Sequence, residues 1–135
     1  MEQQPEFESQ SRELLDEELG LKYCADDEEI YTDTLELFCG IAEENSRQIQ
    51  KLHDENDWKS YCVKVHSLKS TSLTLGARAL SVCAKQLELA SRRKYEGGSR
   101  DGDEDLLSQG HNELLSLYRD TVSEMKRYLD GRVSP

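Results

Sequence analysis

Four stretches of this sequence repeat apolar residues at intervals of three and four, the spacing that lines up one face of an α-helix. The clearest runs through Trp58, Tyr61, Cys62, Val65, Leu68, Ser72 and Leu75 and stops at Gly76. Before it, Ile30, Thr34, Leu37, Phe38, Ile41, Asn45, Ile49 and Leu52 keep the same rhythm, as one helix to about Asp54 or as two segments bent near Gly40. After it come Leu80, Cys83, Ala84, Leu87 and Ala90, on a helix from Ala77 to about Lys94. A last set, Leu107, Leu114, Leu115, Tyr118, Val122, Met125 and Leu129, lies on a helix from about Asp103 to Leu129. Asp26-Asp27-Glu28-Glu29 and Asp57 stand where helix N-termini favour carboxylates, and Arg92, Arg93 and Lys94 crowd a C-terminus. Long amphipathic helices with short joints specify an all-α fold, an antiparallel up-down four-helix bundle. Leu14, Leu15 and Leu19 mark a short extra N-terminal helix over 11–19, stopped by Gly20 and laid across one end of the bundle, with Leu21, Tyr23 and Cys24 as an apolar connector.

The 135 residues suit one domain. Residues 1–10 read as a polar lead-in, 11–130 as the bundle, and 131–135 as a tail. A net charge of −11 argues against nucleic acid and against anionic membranes as partners. No apolar run approaches the ~20 residues of a membrane span, and the N-terminus lacks the basic-then-apolar order of a secretory signal. Cys24, Cys39, Cys62 and Cys83 have no close pairing and read as small core hydrophobes in a reducing compartment, which places the chain in the cytoplasm. Asp101, Asp103 and Asp105 have the first spacings of a calcium loop, but Leu106 and Asn112 stand where such a loop needs Gly and Glu, so an acidic helix start explains them better. His53, His66 and His111 form no zinc motif, and His53 and His111 read as surface residues. No phosphate-cradling glycine loop is present, so no ATP site, metal or cofactor is expected.

Chemistry concentrates at His66. It falls one residue past the buried stripe, about 100° round the axis from Val65, and so at the edge of the core with access to solvent. Lys69 and Ser70, three and four residues on, share its face. Imidazole is partly neutral, and therefore nucleophilic, near pH 7. A neighbouring ammonium would stabilise a phosphoryl group placed on the ring. A Ser–His hydrolase has no support, because no strand-to-helix elbow and no orienting acid accompany the serines.

The order His66-x-Leu68-Lys69-Ser70-x-Ser72-x-x-Leu75-Gly76-Ala77-x-x-Leu80-x-x-Cys83-Ala84-x-x-Leu87-Glu88 resembles the signature of histidine-containing phosphotransfer (HPt) domains, the helical intermediates of multistep phosphorelays. The motif spans about a sixth of the chain, and it departs from the family chiefly at Ser70, where Gly is commoner. The resemblance implies that His66 takes a phosphoryl group, through Nε2, from the phospho-aspartate of a response-regulator receiver domain and passes it to another receiver. It implies Lys69 and Ser70 as phosphoryl-stabilising residues, and Val63, Ser70 and Leu73 as the partner-binding face. The partners it implies are receiver domains and a hybrid sensor histidine kinase. The chain is then a monomeric phosphotransfer protein without kinase activity of its own. The rival reading is a helical adaptor that binds receivers without phosphotransfer.

Overall fold

The computed structural model describes residues 14–133, and among them all regular structure is helical. A short α1 (Glu17–Tyr23) leads into α2 (Glu28–Asp54), α3 (Trp58–Thr74) and α4 (Arg78–Glu96). α5 (Asp103–Asp105), a π-helical turn (Leu106–Gly110) and α6 (His111–Val133) follow end to end. α3 packs along α4, α2 against α6 and α3, and α4 against α6, which closes a four-helix bundle. The core between them holds Tyr31, Leu35, Ile49, Tyr61, Val65, Leu75, Leu80, Leu87, Leu114 and Met125, all fully buried. The expected all-α bundle with an extra N-terminal helix is what the chain forms.

The N-terminal helix differs from expectation. Residues 11–13 lie outside those described, and the helix runs through Gly20 to Tyr23 instead of ending there. Asp16 caps it, its carboxylate accepting from the Leu19 amide at 3.2 Å. Gly20 serves packing: a Cβ there would come within 2.4 Å of both the Leu75 carbonyl oxygen and the Tyr31 ring. Tyr31 donates its hydroxyl to that same Leu75 carbonyl at 2.9 Å, and the Asp16 amide donates to the Gly76 carbonyl at 2.9 Å. The chain thus bolts its N-terminal helix to the α3–α4 corner.

α2 is one continuous helix through Gly40. Its buried stripe is Tyr31, Leu35, Phe38, Ala42 and Ile49, one residue out of step with the expected one over its first half. Ile30, Leu37 and Ile41 are instead exposed. Both rows have helical spacing and both are apolar, so periodicity alone does not choose between them. Tyr31 decides, because its ring fills the α1–α3 corner and its hydroxyl finds the Leu75 carbonyl. The last helix also runs longer than expected, through Gly131 to Val133. Residues 1–10, 134 and 135, the expected lead-in and tip of the tail, lie outside the described residues. No described helix is long and apolar enough to cross a membrane.

Candidate functional site: an exposed imidazole held by a buried carboxylate

α3 and α4 form the hairpin that carries the site. Asp57 caps α3 as expected, accepting from the Ser60 amide at 3.2 Å. The hairpin turns at Gly76, whose φ of +88° lies in the left-handed region. A Cβ there would also come 2.1 Å from the Asp16 carbonyl oxygen, so glycine is required twice over. The tight turn sets α4 alongside the outer edge of α3.

His66 stands where the spacing puts it, mid-helix, with 55% of its side chain exposed. Its Nδ1 lies 2.8 Å from Oε2 of Glu88 on α4. Only 5% of the Glu88 side chain is exposed, and it is the meeting point of three cationic or proton-donating groups. Besides His66, Lys69 Nζ lies 2.9 Å from Oε1 and the Arg92 guanidinium 2.9 Å from Oε2. Burial alone would push the Glu88 carboxyl up, but the bonds from Lys69 and His66 outweigh it and hold the carboxyl below its usual range. An ionised carboxylate only accepts, so the proton of the neutral His66 ring sits on Nδ1 and the Nε2 lone pair is free. Nε2 has no protein partner among the described residues.

Ser70 is exposed beside the ring, and Val63 and Leu73 are 64% and 42% exposed on the same face of α3. The structure therefore gathers Val63, His66, Lys69, Ser70 and Leu73 as the spacing demanded. It differs in one respect: the Lys69 ammonium rests on Glu88. Glu88 enters the sequence reading only as the last residue of the motif, although a further signal exists. It falls four residues after Ala84 and seven after Ser81, both buried, so a carboxylate there points inward and must find cations.

The other two histidines correct the expectation of surface placement. His111 is 1% exposed, its ring stacked on His53 at 3.8 Å and 15°. Tyr61 donates its hydroxyl to His111 Nδ1 at 2.9 Å, and His111 Nε2 donates to Gln50 Oε1 at 3.1 Å. His53, half-buried, donates through Nε2 to the Leu107 carbonyl in the π-helical turn. Burial, reinforced by His53, pushes the His111 ring down to about 4. The spacing already pointed inward, since His111 lies four residues after Leu107 and three before Leu114. A polar ring is tolerated there because both nitrogens find partners. Both nitrogens of the buried His111 are taken, so that ring is structural.

Asp103, the centre of the acidic run, is taken by a two-pronged Arg93 contact at 2.9 and 2.8 Å and by the Arg100 amide. Among the described residues, no group of three or more His, Cys, Asp or Glu side chains is placed to hold a metal.

The Hpt domain profile matches residues 33–129. The chain belongs to the Hpt family. No curated protein matches it. Among solved structures, the HPT domain of the Hpt sensor hybrid histidine kinase from Shewanella is similar, with a TM-score of 0.77 and 20% identity, over 90% of this chain and 98% of that one. At that identity the likeness speaks for the fold. Family membership supports a histidine phosphotransfer role in a phosphorelay.

Proposed function

We propose that His66 is the phosphoryl acceptor and donor of this Hpt domain, exchanging the group with aspartates of receiver domains. The observation that carries the reading is the exposed ring whose Nδ1 is tied to the buried Glu88 carboxylate, leaving Nε2 toward solvent. In the forward step the Nε2 lone pair attacks phosphorus. The N–P bond forms, the P–O bond to the receiver's aspartate breaks, and the aspartate leaves as a carboxylate. The ring gains positive charge as the bond forms and keeps its Nδ1 proton. Glu88 faces that proton and offsets the charge, and in the reverse step the same contact is in place.

Lys69 can supply the phosphoryl oxygens with a cation by leaving Glu88, which keeps Arg92 as a partner. Ser70 is small enough to let the receiver reach the near-contact distance of ~3–3.5 Å that transfer requires. Val63 and Leu73 give an apolar footing on either side of the ring. The protein acts as a monomeric carrier with no kinase activity of its own, in the cytoplasm, where four free cysteines remain reduced.

The test is incubation with a receiver domain charged by acetyl phosphate. Wild type should take an acid-labile, base-stable label, and His66→Gln should take none while keeping its helicity. His53→Gln and His111→Gln should leave the residue that is labelled unchanged. A label retained by His66→Gln, or no label on wild type from any receiver of the host, refutes the assignment; the second result favours the adaptor.

A further inference from the structure

The α3–α4 hairpin is electrically opposite to the rest of the chain. α3 contains Lys59, Lys64 and Lys69 and no acidic residue. α4 contains five cations and two carboxylates, Glu88 and Glu96. Glu88 is buried among its partners, and Glu96 lies at the helix end. The protein as a whole carries −11.

Two of these cations have no structural duty. Lys59 and Lys85 are exposed, and neither forms an ion pair among the described residues. Their positions are specific. Lys59, Val63, His66, Ser70 and Leu73 follow one another at steps of four, three, four and three, so they form a single outward line on α3. On α4, Lys85 lies four residues after Ser81 and three before Glu88. Ser81 donates to the Lys69 carbonyl at 3.0 Å and Glu88 holds His66, so this edge of α4 borders the His66 line. Exposed Leu89 continues the apolar area on α4. The surface around the imidazole is thus apolar at Val63, Leu73 and Leu89, rimmed by Lys59 and Lys85, and free of any exposed carboxylate between the ends of the hairpin.

We infer that Lys59 and Lys85 form a steering rim that selects a partner with an acidic rim, namely the phospho-aspartate face of a receiver domain. The inference rests on the phosphotransfer reading of His66 and adds partner selection to it. A cationic patch on an acidic protein gives the encounter a preferred orientation: the hairpin attracts an acidic face that the remaining surface repels. Charges of this kind raise association rates by ~10–10³-fold and lose that gain as salt rises. Neither lysine touches the reacting atoms, so their effect belongs to encounter and not to the transfer step.

The experiment measures the second-order rate of phosphoryl transfer from an acetyl-phosphate-charged receiver, between about 20 and about 500 mM salt. The receiver used is the one from the host that charges the wild type fastest. Wild type should slow with rising salt. Lys59→Glu with Lys85→Glu should lose about tenfold at low salt and converge on wild type at high salt. The control is Arg119→Glu with Lys126→Glu, the same charge change on exposed positions of α6, which should lose far less. Labelling of His66 by phosphoramidate, a small donor that needs no docking, should be equal in all three proteins. Receiver affinity measured on the same variants decides the inference even if His66 accepts nothing, so failure of the chemistry is told apart from failure of the rim. A salt-independent rate and affinity, or equal losses in the two charge-reversed pairs, overturns it.

Discussion

Acid should unfold this protein partly through one ring that the proposed chemistry does not use. His111 is 1% exposed, and its pKa is pushed from 6.5 down to about 4 by burial and by His53. Asp54, on the same helix as His53, pulls weakly the other way. The groups packed on the ring are His53 and Gln50 from α2 and Tyr61 from α3. Because the folded value lies below the unfolded one, the unfolded chain binds the proton first as pH falls. The associated stability is whole above pH ~6.5 and drains away between pH ~6.5 and ~4, at about 1.4 kcal/mol per pH unit, or about 3 kcal/mol in all. That is a large share of the ~5–15 kcal/mol typical of a domain. Protonation also replaces the Nδ1 acceptor with a second donor facing the Tyr61 hydroxyl. The assay is urea unfolding followed by circular dichroism at pH 7, 6, 5 and 4, on wild type and His111→Gln. Carboxylates titrate in both proteins and cancel in the difference. The stability gap between them should shrink by about 3 kcal/mol from pH 7 to pH 4. A gap that stays constant over that range would show that His111 is not held neutral in the core, and the assigned hydrogen-bond pattern would fall with it.

Four further outcomes follow from the geometry. Leu37→Asp, at a 70% exposed position, should change stability by less than about 0.5 kcal/mol, whereas Leu35→Ala, fully buried, should cost about 2–5 kcal/mol; denaturant midpoints that reversed this order would restore the other register of α2. Gly40→Ala should stabilise by about 0.5–1 kcal/mol, since open space surrounds that position within the helix, while Gly76→Ala should lower the melting temperature through both its left-handed φ and the Asp16 contact. Lys69→Ala should slow transfer in both directions and cost about 1–3 kcal/mol, more than a surface charge would, because it removes an ion-pair partner from the buried Glu88; unchanged kinetics would remove Lys69 from the chemistry. Ser70→Gly should keep transfer and Ser70→Trp should block it without loss of helicity, and full-rate transfer by a folded Ser70→Trp would mean that the receiver does not approach over this face.

The sequence makes the α3–α4 hairpin legible because two independent signals coincide there. The buried stripe of α3 contains no competing apolar row on its first turns, and Gly76 marks the turn that ends it. On α2 the signals conflict: Ile30, Leu37 and Ile41 are more apolar than Tyr31 and Ala42, yet the aromatic ring and its hydroxyl fix the register. Gly20 misleads for a related reason. Read locally, glycine ends a helix, and only the approach of Leu75 and Tyr31 shows that its missing Cβ is what the position requires. Both misreadings concern the same corner, where contacts distant in sequence override local preference.

The same contrast explains why the exposed ring is readable and its anchor is not. His66 declares itself by sitting off the stripe, whereas Glu88 sits on it, and a buried carboxylate makes sense only once its cations are known. Those cations come from both helices of the hairpin: Lys69 one turn beyond His66 on α3, and Arg92 one turn beyond Glu88 on α4. Burying a lone carboxylate costs several kcal/mol, so the charge can be held there only while these partners stay in place. The geometry that fixes the imidazole is therefore the geometry that keeps the two helices in register. In the proposed transfer, a ring anchored this way would gain and lose a phosphoryl group without the bundle having to move, because the proton facing Glu88 would stay on Nδ1 in both states. In the proposed transfer, Lys69 is the member of the cluster whose role would change with the load. When the phosphoryl group arrives it can shift from a carboxylate that keeps two other partners to oxygens that have none.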